Sequence, residues 1–166
     1  MKILFTGSRD WDQPQAVSRL LHHVTGGDIQ DLSVIHGAAP GLDTHADVLC
    51  RRLGVTPQLF PADWTGPCRD ACPPGHRRMR QGRLYCPMAG HYRNQAMVDQ
   101  GPDVVLAFNL DGSRGTADCV TRALATDVDV WLWSVDSNAH HLQSLRCSTR
   151  GIEGRAWTYY DTKGFL

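Results

Sequence analysis

Residues 2–9 read KILFTGSR, a short apolar run that ends in a glycine turn. The same arrangement returns in residues 32–43, which read LSVIHGAAPGLD, and in residues 104–116, which read VVLAFNLDGSRGT. Short apolar runs bounded by glycine are typical of buried strands. Because the carboxyl ends of parallel strands meet at one edge of a sheet, we expect the three turns to share one crevice. Backbone N–H groups and helix N-termini at such an edge favour a phosphate-bearing ligand.

The rest of the chain to residue 135 repeats this alternation of strand and helix. Helices are predicted from Pro14 to the Gly26-Gly27 pair and over residues 43–53, 91–100 and 116–125, and further strands over residues 55–60 and 128–135. Strands that alternate with helices favour a parallel sheet covered on both faces. The sequence therefore predicts an α/β fold, a Rossmann-like open parallel sheet of about five strands with helices on both faces and a cysteine-rich insertion.

Three parts of the chain differ in composition. Residues 1–135 are predicted to form the Rossmann-like domain, residues 66–88 a basic insertion within it, and residues 136–166 a polar and aromatic C-terminal extension. A chain of 166 residues is long enough for one domain with a sizeable core.

The charge balance argues against a polycation that coats nucleic acid. Lysine plus arginine and aspartate plus glutamate both number 17, although six arginines lie between residues 69 and 93 against the single carboxylate of Asp70. The sequence shows no export signal and no span of apolar residues long enough for a membrane, so we expect a cytoplasmic protein without a membrane partner. In that compartment its six cysteines are expected to be thiols or metal ligands.

Four soft ligands lie close together in the insertion, namely Cys68, Cys72, His76 and Cys86. A loop rich in proline and glycine cannot fold by burial alone, and a tetrahedral Cys₃His zinc would supply the missing folding energy. The spacing is not that of a standard zinc finger, so free thiols are the alternative, and His91 is a second choice for the fourth ligand. We expect structural zinc and no redox cofactor.

Polar residues in the turns are the candidates for ligand contact. Arg9 and Arg114 can each neutralise a phosphate, and Ser8 offers a hydroxyl. Asp63 and Trp64 follow the third predicted strand, where an aromatic face could meet a base and a carboxylate a ribose hydroxyl. A strand-to-helix turn without a ligand accounts equally well for any single glycine turn, and solvated arginine is the common case at a surface.

In order and spacing, four segments resemble the SLOG superfamily, the Rossmann-like group that includes the LOG phosphoribohydrolases and the DNA-processing protein. These segments are Gly7-Ser8-Arg9-Asp10-Trp11, residues 36–43 (HGAAPGLD), Arg93-Asn94-x-x-Met97 and Gly115-Thr116. Within the superfamily the chain looks most like the YspA-type, cpYpsA-related proteins of bacteria and their phages. The resemblance covers residues 1–135 apart from the insertion, and it implies a nucleotide or nucleotide-derived ligand and a possible homodimer.

The resemblance also implies a departure at the reaction centre. LOG enzymes carry a catalytic glutamate after their Gly-Thr pair, and that position is Cys119 here. N-glycosidic cleavage needs a carboxylate near the anomeric carbon, which a thiol cannot replace. Asp118 and Asp43 are the candidate catalytic residues in its place. The alternative role for Asp43 is to interact with the dipole at a helix N-terminus.

These observations lead to one main hypothesis and two alternatives. The main hypothesis is a sensor or sequestering protein for a nucleoside monophosphate, an ADP-ribose-like compound or a cyclic nucleotide. The alternatives are an N-glycosidic phosphoribohydrolase that releases a base from a nucleoside 5′-monophosphate and a nucleic-acid-binding adaptor that uses the basic insertion. The expected ligand-binding residues are Gly7, Ser8, Arg9, Gly37, Ala38, Gly41, Asp43, Asp63, Arg93, Asn94, Ser113, Arg114, Gly115 and Thr116.

Overall fold

A computed structural model describes residues 1–135, 140–148 and 151–159 of the chain. Within them lies a seven-stranded sheet with the order β3-β2-β1-β6-β7-β8-β9 and a separate hairpin of β4 and β5. The strands are β1 (Lys2–Gly7), β2 (Ser33–His36), β3 (Gln58–Leu59), β4 (Arg78–Arg80), β5 (Arg83–Tyr85), β6 (Val104–Leu110), β7 (Asp129–Val135), β8 (His140–Ser148) and β9 (Gly151–Tyr159). The helices are α1 (Pro14–Thr25), α2 (Leu42–Leu53), α3 (Ala89–Val98) and α4 (Arg114–Ala125).

The α/β, Rossmann-like fold predicted from the sequence is confirmed. Strands β3, β2, β1, β6 and β7 pair in parallel, and β8 and β9 extend the sheet as an antiparallel pair. After β1 the chain adds β2 and then β3 along one edge of β1, and it later adds β6 and then β7 along the other edge. The strand order thus reverses between β1 and β6, which is where open α/β sheets bind ligands at their carboxyl edge.

The first strand shows how the sheet divides the core. Ile3 and Phe5 point to the face that is covered by α1 and α2, whereas Leu4 points to the face that is covered by α3 and α4. All three side chains are fully buried. Because alternate residues of a strand face opposite sides, a continuous apolar run such as this one needs helices on both faces.

The helix ends follow the local sequence. Helix α1 begins at Pro14, whose fixed φ suits the first turn, and ends at Thr25, where Gly26 caps it with φ 62°. Helix α4 begins after Ser113, whose side chain accepts the N–H of Thr116. The third strand is shorter than predicted, since only Gln58–Leu59 of residues 55–60 pair with β2.

The insertion contains an element that the sequence did not predict. Strands β4 and β5 form an antiparallel hairpin around a tight turn at Gln81 and Gly82, both of which have positive φ. The boundary at residue 135 stays a prediction, although β8 and β9 continue the same sheet past it. Residues 136–139, 149–150 and 160–166 of the predicted extension lie outside the described part. None of the described helices is long and apolar enough to cross a membrane.

Candidate ligand-binding crevice

A cavity of about 500 Å³ lies at the carboxyl edge of the sheet and is lined by parts of all three glycine turns. It sits beside the ends of β1 and β6, where the strand order reverses. Its lining includes nine of the residues predicted from sequence: Gly7, Ser8, Arg9, Asp43, Arg93, Asn94, Ser113, Arg114 and Gly115. The sheet topology therefore brings together side chains that are up to about a hundred positions apart in the chain.

The other predicted ligand residues lie around this cavity. Gly37 and Ala38 line a smaller adjoining cavity of about 190 Å³, which shares Arg9 and Arg93 with the main one. Asp63 lines a third cavity of about 270 Å³, and its Oδ1 accepts the N–H of Gly66 at 2.8 Å. Thr116 is buried behind the wall, where its hydroxyl donates to the Oγ of Ser113.

Two glycines are required by the close approach of other groups. A Cβ at Gly41 would collide with the backbone oxygen of Arg9, and the φ of Gly41 is +78°. A Cβ at Gly37 would occupy the place of the Arg93 guanidinium. The absence of side chains at these positions lets the first two turns touch each other and lets Arg93 reach the crevice.

Ser8 joins the first and third turns through the backbone. Its Oγ accepts the N–H of Leu110 at 2.8 Å, and its backbone N–H donates to the oxygen of Phe108 at 2.9 Å. The backbone oxygen of Ser8 also accepts the N–H of Leu42 at the start of α2. This serine therefore fixes the geometry of the crevice wall, and its hydroxyl already has protein partners.

Arg93 and Asp43 form a largely buried pair of charges beside the second turn. The Arg93 Nη1 donates to the oxygen of Gly37 at 2.6 Å and lies 3.8 Å from the Asp43 Oδ2. That carboxylate oxygen also accepts the N–H of Ala39 at 3.0 Å. Burial raises the pKa of Asp43, while the Ala39 N–H and Arg93 act against that rise. The buried Arg93 Nε has no hydrogen-bond partner among the described residues.

His36 lies on the same side of the crevice, at the end of β2. Its Nδ1 accepts the N–H of Ala38 at 3.3 Å, and its buried Nε2 has no hydrogen-bond partner among the residues that the structure describes. Burial lowers the pKa of His36, so the ring is neutral near pH 7.

Asp118 occupies the centre of a polar network between α3 and α4. It accepts hydrogen bonds from Asn94 Nδ2 at 2.9 Å and Arg122 Nε at 2.9 Å, and its Oδ1 lies 2.8 Å from His91 Nδ1. Burial by itself would raise the pKa of Asp118, but the hydrogen bonds from Arg122, Asn94 and His91 outweigh burial and lower it. Asp118 is thus an anion whose two oxygens are both engaged. His91 lines the main cavity and carries this network to the crevice.

Cys119, at the position where LOG enzymes carry glutamate, lies in the core. It is fully buried among the apolar residues that α3 and α4 press against the sheet. Burial raises the pKa of its thiol to about 11, so the side chain is neutral near pH 7. It cannot supply the negative charge that an oxocarbenium-like transition state needs.

Exposed cations and one indole ring surround the mouth of the crevice. Arg9 and Arg114 are exposed, and neither forms a salt bridge among the described residues. The Arg9 guanidinium lies 5.3 Å from the ring centre of Trp64, in the range of a cation–π contact. Arg114 and Gly115 form the first turn of α4, where backbone N–H groups favour an anion.

The predicted metal ligands of the insertion come together in space. One ligand atom from each of Cys68, Cys72, His76 and Cys86 lies within 4.8 Å of all the others. The Sγ atoms of Cys72 and Cys86 are 3.8 Å apart, and a tetrahedral zinc with Zn–S bonds of about 2.3 Å requires a spacing of about 3.8 Å. The His76 Nδ1 pairs with the oxygen of Pro73 at 2.7 Å, which directs Nε2 towards the thiols.

Two side chains near the metal cluster differ in their partners. The Tyr92 hydroxyl contacts the Cys72 Sγ at 3.2 Å, and this contact lowers the pKa of that thiol. His91, the alternative fourth ligand, pairs with Asp118 instead. The described cluster can therefore hold a metal ion through the four residues that were predicted first.

Several residues of the main cavity are not predicted from the sequence. Pro87, His91, Met97, Leu110 and Asp111 all line it. Leu110 and Asp111 lie two and three residues beyond Phe108, where the predicted strand ends, so extending that strand by three residues would have found them. His91 had no such signal, because its partner Asp118 lies 27 positions away.

The chain is similar in sequence to one described protein family and to a phage protein. A family described as "YspA, cpYpsA-related SLOG family" matches residues 1–66. The chain is also similar to the Gene 61 protein of Mycobacterium phage D29, with 32% identity over 134 residues, which is 78% of this chain and 93% of the phage protein. The family match contains the first two glycine turns, and the phage protein resembles most of the chain.

Proposed function

The chain belongs to the YspA, cpYpsA-related SLOG family, and from this premise we propose that it binds a nucleotide or nucleotide-derived ligand in the main crevice. Its role is that of a sensor or sequestering protein. The ligand is a nucleoside monophosphate, an ADP-ribose-like compound or a cyclic nucleotide. The phosphate would lie against the first turn of α4 and the exposed arginines.

One observation carries this proposal. Three cations from three separate elements meet at a single cavity: Arg9 after β1, Arg93 in α3 and Arg114 in α4. Arg93 pairs with Asp43 but keeps a buried Nε without a hydrogen-bond partner, and Arg9 and Arg114 form no salt bridge in the described part of the chain. Three cations gathered at one cavity repel one another, and the pairing of Arg93 with Asp43 offsets only part of that repulsion. A bound phosphate would offset the rest.

The shape of the crevice is consistent with the rest of a nucleotide. Trp64 lines the cavity with a large planar face, on which a base can stack. Asp43 lines the same cavity, and a carboxylate is a good acceptor for ribose hydroxyl groups. Each part of a nucleotide thus has a matching side chain.

Thermal-shift and calorimetric measurements against nucleoside monophosphates, NAD, ADP-ribose and cyclic nucleotides test the proposal. A ligand at about a hundred times its Kd stabilises the fold by about 2.7 kcal/mol. The Arg114→Ala variant should lose most of this gain, whereas Arg52→Ala, at an exposed position on α2, should keep it. The proposal fails if the folded wild-type protein binds none of these compounds.

An N-glycosidic hydrolase is the second candidate, because two groups capable of proton transfer line the same cavity. Burial raises the pKa of Asp43, which makes it a stronger proton acceptor than an ordinary aspartate. The imidazole of His91 is positioned by Asp118 through its Nδ1. Asp118 itself is fully hydrogen-bonded, so among the two candidate catalytic carboxylates Asp43 is the better choice for direct contact.

Release of free base from a nucleoside 5′-monophosphate tests this second candidate. Hydrolysis should be abolished in Asp43→Asn and reduced in Asp118→Asn, while both variants still bind the nucleotide. If free base forms no faster than in buffer alone, the hydrolase is rejected and the binding function remains. The buried thiol of Cys119 favours this outcome.

The insertion is proposed to hold a structural zinc through Cys68, Cys72, His76 and Cys86. Four protein ligands leave no open position for a substrate, so the metal would stabilise the fold rather than react. We expect one zinc per chain by elemental analysis and none in Cys86→Ser. A purified, folded wild-type protein without bound metal would contradict the assignment. Nucleic-acid binding, a homodimer and a cytoplasmic location stay predictions from the sequence.

A further inference from the structure

Two arginines of the insertion hairpin stand directly opposite each other. Arg80 and Arg83 are the last paired residues before the turn at Gln81 and Gly82. Directly opposed residues of an antiparallel pair point to the same face, and like charges there are destabilising. Both side chains are exposed, and neither forms a salt bridge among the residues that the structure describes. The protein therefore maintains a pair of repelling cations at this position.

These arginines face a cavity that adjoins the main crevice. It measures about 210 Å³ and is lined by Arg9, Trp64, Arg80, Gln81, Arg83 and Tyr85. Arg9 and Trp64 also line the main crevice, so the two cavities share a wall. The rings of Trp64 and Tyr85 are 6.4 Å apart at an angle of 66° and form an aromatic corner between them.

The base of the hairpin is fixed to the main crevice. Cys86 directly follows β5, and its N–H donates to the oxygen of Trp64 at 2.8 Å. His76 precedes β4 by two residues, and its Nε2 lies 3.1 Å from the Cys86 Sγ. The cluster of metal-ligating side chains thus closes the hairpin and holds its arginines next to Trp64.

We propose that the smaller cavity beside the hairpin, the one of about 210 Å³, is a second anionic subsite. The protein then takes a nucleotide whose phosphate is linked to a second phosphate and a further sugar or base. The first phosphate lies in the main crevice, the second lies between Arg80 and Arg83, and Arg9 contacts both. The aromatic corner of Trp64 and Tyr85 receives the further sugar or base. Two sources share this chemistry, namely pyrophosphate-linked and phosphodiester-linked compounds. This inference rests on the proposed nucleotide site.

Calorimetry with three probes tests the subsite: 5′-AMP, ADP-ribose and the 5′-phosphorylated dinucleotide pApA. In the wild-type protein, ADP-ribose or pApA should bind at least about tenfold more tightly than AMP. The double variant Arg80→Ala/Arg83→Ala should lose this gain and keep its AMP affinity within about twofold. Whichever extended probe shows the gain identifies the linkage.

Arg78→Ala is the matched control, because Arg78 is an exposed arginine of the same hairpin that does not line the smaller cavity. It should retain the preference for the extended probe. Equal affinity of the wild-type protein for AMP and both extended probes would overturn the subsite and leave the proposed nucleotide site intact. The same holds if the double variant keeps the gain. If AMP and both extended probes all fail to bind, the subsite is overturned, and the proposed function then depends on the other nucleoside monophosphates, NAD and the cyclic nucleotides.

Discussion

Replacing Arg93 by methionine should show how strongly the crevice depends on its buried charges. The side chains of Arg93 and Asp43 are only 15% and 7% exposed. Methionine keeps the apolar stem of Arg93 and removes the guanidinium, so the Asp43 carboxylate and the Gly37 oxygen lose their partner. Breaking a buried ion pair from one side costs about 3–5 kcal/mol.

The lower end of that range is the better expectation here. The Arg93 Nη1 lies 3.8 Å from the Asp43 Oδ2, which is beyond hydrogen-bond distance, and the buried Nε has no partner in the described part of the chain. Removing an unsatisfied Nε offsets part of the loss, so we expect Arg93→Met to cost about 3 kcal/mol. For a chain of this length, that corresponds to a fall in Tm of about 6–12 °C.

The loss should also depend on pH. Arg93 opposes the rise that burial causes in the pKa of Asp43, so without Arg93 this pKa rises further. In the native variant, Asp43 then keeps its proton at pH values where the unfolded chain, in which the aspartate has its ordinary pKa of 3.8, has released it. Because the unfolded state binds fewer protons in this window, the variant loses stability relative to wild type as the pH rises. The deficit should be larger at about pH 7.5 than at about pH 4.5.

Urea unfolding followed by tryptophan fluorescence measures the deficit at both pH values. Arg52→Met is the control, since Arg52 is exposed on α2 and should change stability by less than about 0.5 kcal/mol. A deficit below about 1 kcal/mol for Arg93→Met, or one that is equal at both pH values, would show that Arg93 and Asp43 do not stabilise each other.

Three further changes test other parts of the structure. Gly41→Ala should destabilise the protein by about 3 kcal/mol in urea unfolding and weaken nucleotide binding. Gly26→Ala is the control, because Gly26 has a similar φ but open space around it, and it should cost only about 1 kcal/mol. Equal costs would contradict the role of the Arg9 contact. Asp118→Asn should cost about 1 kcal/mol at pH 7, and because hydrogen bonds lower the pKa of Asp118 this deficit should vanish as the pH falls well below 3.8; acid titration of both proteins checks it. A strong chelator should lower the Tm of the wild type and have no effect on Cys86→Ser.

Much of the candidate site could be predicted because it depends on local pattern. The turns after β1, β2 and β6 each combine an apolar run with a glycine, and nine predicted residues line one cavity. The four metal-ligating residues lie within 19 positions, so their proximity required only a short loop. Patterns of this kind survive in any fold that keeps the same elements.

Other features could not be predicted, because they depend on contacts between distant segments. The network of Asp118 joins α3 to α4, and its partner His91 lies 27 positions earlier. Charged and apolar residues alternate in β4, but each strand of the hairpin has only three residues, which is too few to give a periodic signal. The shortness of β3 reflects its place at the sheet edge, where β2 is its single partner among the described strands.

Local sequence sets the strands, the glycine turns and the group of four metal ligands, since each depends on spacing within a few residues. Long-range packing sets which turns become neighbours and which charges are left without partners. The strand order puts the ends of β1 and β6 side by side, and the insertion folds back to bring Arg80 and Arg83 beside Trp64. A side chain's chemistry is written in the sequence, but its pKa and its partners depend on burial and on neighbours that only the folded chain supplies.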